Sequence, residues 1–113
     1  MSDTTVLAGL SASLAALRVL AVDYGHLPAP DVQIGDLFPH RLELSFHGGD
    51  GLAAFEAWRQ ALDVDPYTVS VVTHSGGEGR TWALAATTTF AGAVVLLIAC
   101  MDSARPSGEA GAA

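Results

Sequence analysis

The chain has 113 residues, a length suited to one domain with one hydrophobic core. Half of the residues are hydrophobic and 15 % are charged, which excludes a disordered body. The formal net charge of −7 argues against the clustered basic surface that nucleic-acid binding requires, and acidic side chains would keep the folded protein in solution.

The first predicted element is a helix over residues 5–24. Gly25 can end this helix, and Pro28 and Pro30 prevent its continuation. The apolar residues that recur at steps of three and four, and so form one stripe, are Leu7, Leu10, Leu14, Leu17 and Ala21.

A β-hairpin is predicted over residues 31–47. Its second strand, "RLELSFH", alternates apolar and polar residues, as expected for a strand with one buried and one solvent-exposed face. A second helix follows over residues 51–63, with Asp50 as its N-cap and Pro66 beyond its end.

Three further strands are predicted within residues 67–100, and their short loops indicate antiparallel neighbours. Residues 102–113 are small and polar and are expected to form a disordered tail, which leaves residues 1–101 as the single domain. The predicted class is α+β, in the order α-β-β-α-β-β-β, with an antiparallel five-stranded sheet and two helices packed mainly on one face.

The last strand is apolar on both faces. If His74 pairs with Thr81 across the preceding loop, then Val69, Val71, Trp82 and Leu84 share the face that the helices cover. Both alternating sets of the last strand are apolar: Val94, Leu96, Ile98 and Cys100 form one, and Ala93, Val95, Leu97 and Ala99 form the other.

Strands of this kind are usually covered on both sides, and two short helices rarely cover both faces of five strands. A second copy or another protein partner would therefore cover the second face. The alternative is a monomeric sandwich with one helix on each face.

Two glycine-rich segments, "HGGDG" and "SGGEGR", are interpreted as turns, because neither carries a phosphate-loop signature. No metal, cofactor or catalytic motif is present, and His26, His40, His47 and His74 share no ligand spacing. His47 and His74 are either ordinary strand-end histidines or a proton-responsive or metal-binding pair on neighbouring strands.

The functional hypothesis is a non-enzymatic interaction or regulatory module that self-associates through its sheet as a homodimer. The residues predicted to carry the contact are Val72, Ala83, Val95 and Leu97, with His47 and His74 at the rim. The alternative is a small-ligand-binding protein or enzyme whose pocket lies near Trp58, Trp82, His40 and His47.

No apolar run is long enough to span a membrane as a helix, which takes ~20 residues. The single cysteine, Cys100, allows no internal disulfide and suits the cytoplasm. The segments "LELSFH", "FEAWRQAL" and "TTTFAGAVVLL" resemble small uncharacterised proteins of high-GC Gram-positive bacteria over residues 10–100. That resemblance implies a bacterial source and brings no activity with it.

Overall fold

The computed structural model describes residues 5–76 and 79–102, with the backbone alone at 73–76, 79–81 and 101–102. It confirms the α+β class and the predicted order of elements. These elements are α1 (Ser11–Asp23), β1 (Asp31–Gln33), β2 (Arg41–Phe46), α2 (Gly51–Ala61), β3 (Ser70–Gly76), β4 (Gly79–Phe90) and β5 (Ala93–Asp102). Asp102 belongs to β5, and the rest of the tail predicted to be disordered lies outside the described residues.

Helix α1 presents a different face to the sheet from the one predicted. A 3-10 turn, Leu7–Leu10, leads into it, and the buried residues of the helix are Ser13, Ala16 and Leu20. Leu14 of the predicted stripe is 44 % exposed. The small residues Ser13 and Ala16 let the helix lie close to the sheet, and Ser13 Oγ donates a 2.8 Å hydrogen bond to the Pro39 carbonyl.

Helix α2 packs through Ala54, Phe55 and Trp58, which are all buried. At its C-terminal end the Arg59 guanidinium donates a 2.7 Å bond to the Val64 carbonyl, which fastens the following loop to the helix. Arg59 also donates bonds of 2.7 and 2.9 Å to the Glu56 carboxylate. These bonds hold the pKa of Glu56 below its ordinary value, because they stabilise the charged form.

The sheet has the strand order β1-β2-β5-β4-β3. Three of its four strand pairs are antiparallel, as predicted, and β2 pairs with β5 in parallel. The parallel pair follows from the path of the chain. After β2 the chain passes through α2 and enters β3 in the same direction as β2. The β3–β4 and β4–β5 hairpins then reverse the chain twice, so β5 runs in the direction of β2 and lies beside it.

The hydrophobic core lies between the helices and one face of the sheet. Both helices contact β2 and β5, and the buried cluster contains residues of both helices on this side. The strand residues in that cluster are Leu42, Leu44, Phe46, Ala86, Ala93, Val95, Leu97 and Ala99. Two helices on one face, as predicted, therefore cover β2 and β5.

The β4–β5 hairpin closes through a two-residue turn. Ala91 and Gly92 both have positive φ, at 51° and 85°, between the paired residues Phe90 and Ala93. Two central residues with positive φ match the right-handed twist of the flanking strands. Glycine adopts this backbone readily, whereas alanine is strained in it.

The two edges of the sheet differ in their protection. Strand β1 has three residues, directly follows Pro30, and begins with the charged Asp31. Strand β3 has seven residues, with neither proline nor an acidic or basic residue other than His74. Short, charged and proline-flanked strands resist pairing with other chains, and β3 has less of this protection in its length and sequence than β1.

Candidate interaction surface

Alternate residues of β5 differ sharply in burial. Ala93, Val95, Leu97 and Ala99 are buried beneath the helices, and the residues between them are more exposed. The prediction that Val95 and Leu97 form the contact surface is therefore wrong, because both are 0 % exposed. They lie beside Leu42 and Leu44 of β2, whose buried face sets the orientation of β5.

The other predicted contact residues, Val72 and Ala83, do lie on the opposite face. They are paired with each other across β3 and β4, and Val72 is 41 % exposed. The register of this hairpin is the predicted one, since His74 pairs with Thr81. We use the name open face for the second-face residues of β3, β4 and β5 whose surroundings are described: Ser70, Val72, Ala83, Ala85, Thr87, Thr89, Val94, Leu96, Ile98 and Cys100.

Sequence reasoning placed Leu96 and Ile98 in the correct alternating set but did not select them as contact residues. Both are only half-buried, by their neighbours within the sheet, and Val94 is 39 % exposed. Within residues 5–76 and 79–102, both helices lie on the opposite side. The open face is thus an apolar surface without a helix over it.

Charged side chains lie to one side of the open face, on β2 and β1. Arg41 and Glu43 are two residues apart on β2, and their charged groups are 3.8 Å apart. The Arg41 guanidinium also stacks 3.9 Å above the Phe38 ring. The residues named for the open face include no aspartate, glutamate, lysine, arginine or histidine.

The structure separates the two histidines predicted as a pair. His47 follows β2, whereas His74 is in β3. Strands β5 and β4 lie between these two, so β2 and β3 are roughly 14 Å apart at ~4.8 Å per strand. His47 instead lies 3.4 Å from Asp31, measured from Nε2 to Oδ2. The idea of a histidine pair on neighbouring strands is therefore wrong.

A shallow pocket of about 280 Å³ lies beside His47. Its lining consists of Pro28, Ala29, Asp31, Ser45, Phe46, His47, Asp50, Gly51 and Ala54. Of the residues predicted for a ligand pocket, it contains His47 and lacks His40, Trp58 and Trp82. Trp58 packs against Phe46 and donates its indole N–H to the Pro28 carbonyl at 2.7 Å, so its polar atom is already satisfied.

The "HGGDG" segment is a strand-to-helix turn, as predicted. Gly48 has φ +82°, and a Cβ on Gly51 would come within 3.2 Å of the Phe46 carbonyl oxygen, so α2 starts in close contact with β2. Asp50 is at the N-cap position, but its side chain makes no capping hydrogen bond and lines the pocket instead. The second glycine segment includes residues 77 and 78, which lie outside the described residues.

No protein family, curated protein or solved structure matches this chain. Across the described ranges, no group of three or more metal-binding side chains and no helix able to cross a membrane is found. The geometry of the chain itself is therefore the basis for any assignment of function.

Proposed function

We propose that this protein is a non-enzymatic interaction module that associates with a second copy of itself through the open face. The observation that carries the proposal is the exposure of the second apolar set of β5 on the side away from both helices. Covering Val94, Leu96 and Ile98 would add to stability, since complete burial of one such side chain contributes ~1.5–3 kcal/mol and these are already partly buried.

The size of the face suits the centre of a dimer interface. Its three strands, at ~4.8 Å spacing, are roughly 14 Å wide, and the two longer ones, at ~3.3 Å per residue, extend roughly 33 Å or more. Allowing for the shorter β3, the open face covers roughly 450 Å². A stable protein–protein interface buries ~800 Å² on each partner, so the whole open face would be used together with the adjoining side of β2.

The charge distribution favours the same surface. Each copy carries a net charge of −7, so two copies repel each other wherever their acidic surfaces meet. The open face is free of charge, and Arg41 and Glu43 beside it largely neutralise each other. Two acidic copies can therefore meet here with little desolvation of charged groups.

Sedimentation velocity over a wide range of protein concentration tests the proposal. We expect the natural chain to form a dimer at micromolar concentration and Leu96→Glu to remain monomeric, because a carboxylate on the open face would be buried without a partner. Leu37→Glu is the matched control, since Leu37 is 81 % exposed in a turn and should leave the dimer intact. A natural chain that stays monomeric at every concentration would refute self-association.

Two further parts of the proposal concern the cellular compartment and the class of partner. The single cysteine, on the open face, fits a reducing compartment such as the cytoplasm. The acidic composition favours a protein partner over nucleic acid.

The pocket beside His47 supports a second candidate function, the binding of a small molecule. Its two carboxylates, from Asp31 and Asp50, favour a small cation such as an alkylammonium ion. Titration with ethylammonium chloride, followed by the NMR signals of the His47 ring, tests this function. Shifts no larger than those caused by sodium chloride would exclude it.

A further inference from the structure

The open face has a relief that is complementary to itself. Strand β5 carries the large side chains Leu96 and Ile98, which form a ridge. The adjacent strand β4 carries Ala83, Ala85 and Thr87, whose shorter side chains form a groove beside the ridge. Within the sheet, Ile98 is paired with Ala85, and Leu96 with Thr87.

A flat partner cannot contact the ridge and the groove together. Well-packed interfaces are as dense as protein interiors. A partner must therefore have small side chains opposite β5 and large side chains opposite β4. A second copy of this chain has that shape when it is turned by half a turn about an axis parallel to the strands. A half-turn about an axis across the strands would place ridge on ridge and leave the grooves empty.

We propose that two copies pack with the β5 ridge of each in the β4 groove of the other, about a twofold axis that runs between β4 and β5. This inference rests on the proposed self-association and names its geometry. Since rotation about the strand direction preserves height along the strands, Ile98 of one copy lies over Ala85 of the partner subunit, and Leu96 lies over Thr87 of the partner subunit.

The charges agree with this axis. Strand β2, with Arg41 and Glu43, then faces the β3 edge of the other copy, at the margin of the interface. The acidic groups of the two copies stay at the periphery, where water screens them. The centre contains aliphatic and small residues only, as in the fully buried part of stable interfaces.

Two single variants provide the test. In Ala85→Leu the added side chain fills the groove and clashes with the ridge of the other copy. The dissociation constant of the homodimer should therefore rise by roughly tenfold or more. In Ile98→Ala the ridge is cut, so two cavities form, and that homodimer should weaken by a comparable factor. Ala53→Leu adds the same volume at an exposed position of α2 and should not alter the dimer.

The decisive measurement mixes the two variants. In a heterodimer, the new leucine at position 85 faces the new alanine at position 98, and the natural Ile98 of one chain faces the natural Ala85 of the other. Both contacts are filled, so native mass spectrometry of an equal mixture should show mainly heterodimer. Urea unfolding of each variant at high dilution shows whether the single chains remain folded.

Each outcome has a distinct meaning. A heterodimer in large excess over the statistical half supports the ridge-and-groove packing. A statistical mixture, with a natural chain that dimerises, would overturn this geometry while self-association through the open face stands. A natural chain that never associates would overturn both. If a single variant fails to fold, the Leu96→Ala and Thr87→Leu pair repeats the test one step along the same strands.

Discussion

Leu96 and Leu97 are neighbours in sequence with the same side chain on opposite faces of β5. Leu97 is 0 % exposed within the core, whereas Leu96 is half-buried on the open face. Truncation of a fully buried leucine to alanine costs about 2–5 kcal/mol, because apolar contacts are lost and a cavity remains. Truncation of Leu96 leaves no closed cavity and removes only partial burial, so in the monomer it should cost about 1 kcal/mol or less.

The assay is urea unfolding of Leu97→Ala and Leu96→Ala, followed by far-ultraviolet circular dichroism at a dilution where dimers dissociate. Domains of this kind have unfolding free energies of about 5–15 kcal/mol, so the loss from Leu97→Ala should shift the midpoint clearly. Raising the protein concentration should then stabilise the natural chain more than it stabilises Leu96→Ala. Equal losses for the two variants at high dilution would show that β5 is not covered on one side alone.

Three other expectations concern a turn, an ion pair and a thiol. Ala91→Asn should raise the free energy of unfolding by roughly 0.5–1 kcal/mol, because asparagine tolerates the positive φ of the hairpin turn better than alanine. Thermal unfolding measures this change, and a loss of stability would contradict the turn geometry. The pKa of Glu56 is lowered in the folded state, so the ion pair with Arg59 stabilises the protein above the ordinary carboxyl pKa and stops doing so as the pH falls through the lowered value. Glu56→Gln should therefore lower the free energy of unfolding by less than about 1 kcal/mol at neutral pH, since the carboxylate is partly exposed. Near pH 2 the substitution should have no effect on stability. A loss of stability that is the same at both pH values would refute this account. Cys100, the single thiol, lies on the open face, so Ellman's reagent should modify it more slowly as protein concentration rises, and a rate independent of concentration would count against burial of that face in a dimer.

The local elements were predictable because each has a strong local signal. The alternation in "RLELSFH" indicates β2, and the register that pairs His74 with Thr81 follows from a short loop between two strands. The position of β5 beside β2 depends on contacts between residues far apart in the chain, so the parallel pair was not predicted. The separation of His47 from His74 follows from that same strand order.

The orientation of two elements could not be read from the sequence, for one shared reason. Helix α1 is apolar almost all round, and β5 is apolar on both faces, so hydrophobic periodicity does not select the buried side. Small residues decide it in α1, where Ser13 and Ala16 permit a close approach to the sheet. The neighbours on β2 decide it in β5, where Val95 and Leu97 pair with buried leucines.

The unequal borders of the sheet limit how far copies could join side by side. If two copies paired along β3, the outer borders of the joined sheet would both be β1, which is too short and too close to Pro28 and Pro30 to accept another strand. Lateral growth would therefore stop at two chains and could not propagate into a fibre. The three-residue strand β1 thus prevents this apolar sheet from being extended strand by strand.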